Sequence, residues 1–134
     1  MNRPSIRLRR FNYQWMPVVF WMALIFLLSS FSFRFPWFRP AQKNHVDWAA
    51  HVVEYGFLGF LLARALWRHS FFWRNAARLW TAALLVGVLY GASDEFHQRF
   101  VPHRDSSVYD CLADAAGAAI GIWIWLKKQA NSNA

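Results

Sequence analysis

Four long apolar runs alternate along the chain with short stretches rich in charge and helix breakers. The first, Trp15 to Phe33, carries no charged residue. At about 1.5 Å of rise per residue, such a helix crosses a hydrocarbon layer of roughly 30 Å. The second run is Trp48 to Trp67, the third Leu79 to Gln98 and the fourth Val108 to Leu126. Each is about long enough to span, and each of these three carries ionisable residues at one end. Asn44-x-x-Asp47 and Ser107-x-x-Asp110 have the form of capping boxes and predict the starts of the second and fourth helices. The breakers around Pro102 predict the turn before the fourth. The pattern therefore predicts an all-α bundle of four transmembrane helices over residues 15–126, as one domain. A basic segment, 1–14, precedes it and a short tail, 127–134, follows. A cleaved signal peptide competes for the first run. Ser29-Ser30-Phe31-Ser32, however, leads into bulky Phe33, Phe35 and Trp37 rather than a small-residue cleavage site, which favours a retained helix.

Composition agrees. Of the 134 residues, 57% are hydrophobic and 16% charged, whereas soluble domains carry about a quarter charged residues. Nine Trp and 13 Phe are more bulk than one soluble core of this size hides. The apolar content excludes intrinsic disorder, and one cysteine excludes a disulfide scaffold. Cys111, alone in the fourth helix, reads as a buried inert thiol. The net charge of +8 fits either a nucleic-acid binder or a membrane protein with basic cytoplasmic loops. Here the cations flank the apolar runs and form no continuous basic face, so a bilayer and not a nucleic acid is the expected partner.

The distribution of Lys and Arg sets the expected orientation. With the N-terminus cytoplasmic, Arg3, Arg7, Arg9, Arg10, Arg64, Arg68, Arg74, Arg78, Lys127 and Lys128 lie inside. Arg34, Arg39, Lys43, Arg99 and Arg104 lie outside. Both termini are then cytoplasmic, and the chain is a multi-pass protein of the cytoplasmic (inner) membrane. Trp15, Trp67, Trp73, Trp80, Trp123 and Trp125 fall at the inner interface, and Trp37 and Trp48 at the outer one. The Phe35-Pro36-Trp37-Phe38 segment suits the outer head-group layer.

In that topology all seven acidic residues lie toward the outer side: Asp47, Glu54, Asp94, Glu95, Asp105, Asp110 and Asp114. His45, His51, His97 and His103 join them. On the second helix His51, Glu54, Tyr55 and Leu58 share one face. On the third, Gly87, Gly91, Asp94, Glu95 and Gln98 form a stripe with His97 at its edge. On the fourth, Asp110, Asp114, Gly117 and Gly121 line one face. Glycines at four-residue spacing let helices approach closely. The polar residues on the same stripes therefore point inward, into a polar pocket open to the outer leaflet. Intramembrane carboxylates are costly, and their retention points to function. The structural alternatives are a capping role for Asp110, a pair of Asp114 with Arg99 or Arg104, interfacial solvation of Asp94 and Glu95, and a packing hydrogen bond from His51.

These residues resemble a known family. Asp47-x-x-x-His51-x-x-x-Tyr55-x-x-Leu58 resembles the second-helix signature of VanZ-like membrane proteins. Asp94-Glu95-x-His97-Gln98-x-Phe100-Val101-Pro102-x-Arg104 resembles their most distinctive motif, and Asp110-x-x-x-Asp114-x-x-Gly117-x-x-x-Gly121 the helix after it. The likeness runs from Asp47 to Gly121. It departs at Trp48, where the family often has Lys, and at Asp114, where it often has Asn. The resemblance implies a membrane location in the cell envelope. It also implies a link to antibiotic resistance of the teicoplanin type, without an established activity.

Two functions follow from the pocket. In the first it is an enzyme site acting on an envelope lipid or lipid-linked head group. His51, Glu54, Asp94, Glu95 and His97 are the candidate acid–base residues, since clustered carboxylates and histidines suit proton transfer. Tyr55, Gln98, Arg99, Arg104, Asp110 and Asp114 are the candidate binding residues, the arginines suiting phosphate or carboxylate. In the second, a non-catalytic protein binds an anionic lipid, a cell-wall precursor or a partner and alters drug access. A transporter is disfavoured, because the inner halves of the helices offer little polarity beyond Thr81. No cofactor is specified. Mg²⁺ is chemically compatible with the acids, but the spacing matches no metal motif. Without a His-x-x-x-His pair no zinc site is expected.

Overall fold

A computed structural model describes residues 6–31, 43–69, 71–72, 75–102, 104 and 106–132, with backbone only for 6–12 and 43–47. It is all-helical among these residues: α1 (Ile6–Ser29), α2 (Lys43–Trp67), α3 (Ala76–Gln98) and α4 (Val108–Ser132). Three of the helices, α2, α3 and α4, contain stretches long and apolar enough to cross a membrane. The apolar part of α1, Tyr13–Ser29, is shorter. The expected first run continued to Phe33, but α1 stops at Ser29. The hydroxyl of Ser30 donates to the Phe26 carbonyl at 2.6 Å, and that of Ser29 lies 3.0 Å from the same oxygen. Hydroxyls bonded back to the helix backbone in this way offer the chain an alternative to the next helical turn.

The other boundaries show what local signals decide. α2 begins at Lys43, so Asn44 lies within its first turn and not at the expected cap. α3 is capped by Asn75, whose Oδ1 accepts the Arg78 amide at 2.9 Å. α4 starts where expected, with Ser107 Oγ accepting the Tyr109 amide at 3.1 Å. Its far end runs past Leu126 to Ser132. The Phe35–Phe38 segment, the side chains of His45 and Asp47, and His103 and Asp105 lie outside the described residues.

The most extensive helix pairing is between α2 and α4, which run parallel. Its closeness depends on glycine. A Cβ at Gly121 would run into the Gly56 carbonyl oxygen and stand 2.8 Å from Phe60 N. One at Gly117 would meet the Val52 carbonyl and stand 2.9 Å from Val52 Cα. Backbone therefore lies on backbone, as small-residue stripes permit in membranes. α3 closes the bundle on both helices, and α1 packs on α2 and α3.

The bundle has two dissimilar ends. At one end Trp15, Trp67, Trp80 and Trp125 pack around Leu61, Leu62, Leu79 and Ile122. At the other, the C-terminal turns of α1 and α3 meet the N-terminal halves of α2 and α4, and the polar residues collect there. The outward faces stay apolar: Phe20, Leu85, Leu89, Leu112 and Ile120 are exposed, as a lipid-facing surface requires.

Candidate functional site

The inward stripes read from the sequence are buried. On α3 these are Gly87, Gly91, Asp94, Glu95 and Gln98, and on α4 Asp110, Asp114, Gly117 and Gly121. On α2, His51, Tyr55 and Leu58 are buried and Glu54 is half-buried. Asp114 is 0% exposed, Glu95 4% and His51 7%. Burying such groups unpaired is expensive, so their partners define the site.

One set is tied into the scaffold. Asp94 accepts from Ser29 Oγ at 2.6 Å through one oxygen and from Gln98 Nε2 at 3.0 Å through the other. His97 stacks on Phe26, with ring centroids 4.6 Å apart, and its Nε2 contacts Ser30 Oγ at 3.0 Å. Arg104 donates through Nη2 to the carbonyls of Leu28 and Phe31 at 3.1 and 3.3 Å. It thereby satisfies the C-terminal end of α1, where helix carbonyls lack partners. Arg99, exposed, donates from Nε to Ser106 Oγ at 3.2 Å. These contacts fasten α1 and the α3–α4 turn to the end of α3. Two further bonds continue the attachment: Tyr90 Oη donates to the Met22 carbonyl at 2.6 Å, and Trp21 Nε1 to the Glu54 carbonyl at 2.9 Å.

The second set is only partly satisfied. His51 Nδ1 lies 2.8 Å from Asp114 Oδ1, linking α2 to α4. The anticipated pairing of Asp114 with an arginine gives way to this histidine. Glu95 Oε2 accepts the backbone N–H of Ser107 at 3.0 Å. A capping box takes that amide with its own third residue, whereas here the neighbouring helix supplies an acceptor. Asp114 Oδ2, Glu95 Oε1 and the Tyr55 hydroxyl are buried without a hydrogen-bond partner among the described residues. Gly91 makes room for this set, because a Cβ there would stand 2.8 Å from Asp114 Oδ2. Asp110 is buried on the same stripe of α4, and Cys111 beside it is half-buried rather than fully enclosed.

His51, Glu95 and Asp114 each offer one ligand atom, and the three atoms lie within 4.8 Å of one another. Sequence spacing gave no metal motif because the residues come one each from α2, α3 and α4. Ser29 and Ser30 escaped the sequence reading as site residues. Their signal was two adjacent hydroxyls closing an otherwise apolar run. Gly56 and Gly59, the α2 partners of the α4 glycines, were also missed.

The membrane-spanning helices, the Asp94–Arg104 motif and the Asp110–Gly121 stripe now sit in one bundle, and the model of the VanZ/LLP1 family matches residues 2–129. The chain belongs to the VanZ/LLP1 family. Among curated proteins and solved structures nothing matches it. The arrangement of this VanZ-family chain is thus read from its own residues.

Proposed function

We propose that this VanZ-family protein is an enzyme of the cytoplasmic membrane that acts on the head group of an envelope amphiphile. The observation that carries this reading is the buried contact of His51 Nδ1 with Asp114 Oδ1 at 2.8 Å, beside the unpartnered Glu95 Oε1. With Nδ1 protonated and held by the carboxylate, Nε2 keeps its basic lone pair. Such a nitrogen takes a proton from water or a hydroxyl as that oxygen attacks, and returns it to the departing oxygen. The substrate class is an anionic lipid or a lipid-linked cell-wall precursor. Its tail stays along the apolar outer faces of the bundle while its head reaches the polar end. Among the described residues Arg99 is the cation best placed to meet a phosphate or carboxylate, since Arg104 is engaged with α1. Cytoplasmic termini put this end at the outer leaflet, where precursor chemistry affects teicoplanin-type sensitivity.

The test compares bacterial cells carrying wild type, His51→Gln or Asp114→Asn at matched, folded levels. Mass spectrometry of envelope lipids and lipid-linked precursors is the readout. Wild type is expected to change the head-group profile and the two variants to leave it at the level of the empty vector. An unchanged profile with wild type overturns the reading.

A further inference from the structure

We propose that His51, Glu95 and Asp114 form a binding site for a divalent transition-metal ion, with Zn²⁺ the best match. This rests on the head-group reading and shares its residues, but it assigns His51 to a metal rather than to a free base, and metal binding is measurable without any head-group chemistry. Three separate helices deliver one ligand atom each to a space where all three lie within 4.8 Å of one another. Zinc bonds of roughly 2.0–2.1 Å in tetrahedral geometry set ligand atoms about 3.3 Å apart. Small side-chain rotations toward a common centre cover the difference.

The second observation is independent of that proximity. Glu95 Oε1 and Asp114 Oδ2 are buried and unpartnered among the described residues, on side chains only 4% and 0% exposed. A buried oxygen without a partner is costly, and more so when charged. One cation satisfies both. Among the described residues the nearby guanidiniums have other contacts: Arg99 reaches Ser106, and Arg104 the end of α1.

The donor set selects the metal class. Oxygen-only sites suit Mg²⁺ and Ca²⁺, while imidazole with carboxylates suits zinc and its transition-metal neighbours. The other oxygen of Glu95, Oε2, is already held by the Ser107 amide. Such an outer contact orients a ligand toward a metal. Three protein ligands leave a further coordination position for water or a head-group oxygen, the pattern of zinc sites that bind substrate.

The experiment uses the full chain, purified in detergent without a polyhistidine tag and stripped with a chelator. Zn²⁺ is titrated calorimetrically against wild type, Glu95→Gln, Asp114→Asn and His69→Ala, the last an exposed histidine outside the site. One ion per wild-type chain is expected, with affinity at least ~100-fold weaker in the two site variants and unchanged in His69→Ala. Absence of wild-type binding overturns the proposal, as does binding that survives in both site variants or falls with His69. Zinc-edge X-ray absorption of the loaded wild type needs no variant, and a shell lacking imidazole overturns the proposal equally. Zinc binding with an unaltered lipid profile leaves this site standing and sinks the enzymatic reading. An altered profile without zinc binding does the reverse.

Discussion

Replacing Gly121 by Ala adds one methyl group where α4 rests on the backbone of α2. The new carbon meets the Gly56 carbonyl oxygen and stands 2.8 Å from both Gly56 C and Phe60 N. Comfortable contact between such atoms is roughly 3.5 Å, so the helices must part by at least about 0.7 Å, and further to clear the oxygen. A gap of that size forfeits about a quarter to a half of the dispersion well at each facing contact. The loss falls on the most extensive helix pairing in the bundle. Overpacking costs about 1–3 kcal/mol where side chains can yield. Here the obstacles are backbone, so Gly121→Ala is expected to cost about 3 kcal/mol or more. Gly91→Ala is the internal comparison. Its added carbon would stand 2.8 Å from Asp114 Oδ2 and 3.1 Å from Asp114 Cβ, side-chain rather than backbone atoms, and about 1–3 kcal/mol is expected. Equilibrium unfolding in mixed micelles, followed by circular dichroism, measures both. A Gly121→Ala protein within about 0.5 kcal/mol of wild type refutes the reasoning, as does Gly91→Ala proving the more damaging.

Three further outcomes are expected. His51→Ala leaves Asp114 buried without its 2.8 Å partner, so it should destabilise by about 3–5 kcal/mol. His51→Ala with Asp114→Ala should cost less than the sum of the single changes, and additive costs in unfolding titrations would show the pair to be uncoupled. Arg104→Ala removes two bonds to the last turn of α1; amide exchange should quicken near Leu28 and Phe31 and stay unchanged near Leu79. In a Cys111→Ser background, cysteines at Ser106 and Ser132 flank α4, and an impermeant thiol reagent added to intact cells should label the first and spare the second. The opposite labelling reverses the orientation.

The helices were legible because their signal is summed over many residues. Each of α2, α3 and α4 combines a long apolar run with a polar stripe, and on α3 and α4 the inward direction of that stripe followed from glycine spacing. Boundaries were less legible because they turn on single hydrogen bonds. α1 ends at Ser29, beside a Ser30 hydroxyl bonded back to the Phe26 carbonyl, and nothing in an apolar count registers that. The site was legible as a list of residues and not as a set of pairs. His51 and Asp114 are 63 positions apart, and Ser29 and Asp94 are 65 apart. Only the crossing of helices decides such partners. The conserved volume of a carboxylate says nothing of whether a serine, an arginine or a histidine will face it.

Asp94 and Glu95 show why pairing, rather than residue type, separates scaffold from site. They are consecutive and nearly equally buried, at 4% each. One step along a helix turns a side chain by about 100°, so Asp94 faces the end of α1 and Glu95 the start of α4. Asp94 has both oxygens taken, one by Ser29 of α1 and the other by Gln98 of its own helix. Its cost of burial is offset within the fold. Glu95 has one oxygen taken by a helix-start amide and the other without a described partner, in the same region as the equally half-satisfied Asp114. A bundle that needed only an acceptor for the Ser107 amide would be served by Gln at 95, without a charge. On the proposed reading, ligand binding is what rewards keeping the acid. The two neighbours therefore make a paired test of the whole scheme. Neutralising Glu95 as Gln should leave stability near wild type or raise it while abolishing ligand binding. Truncating Asp94 to Ala should lower stability by about 1–3 kcal/mol through the stranded Ser29 and Gln98 donors. If Glu95→Gln is instead the more destabilising of the two in unfolding titrations, Glu95 is a structural member and the site loses its central carboxylate.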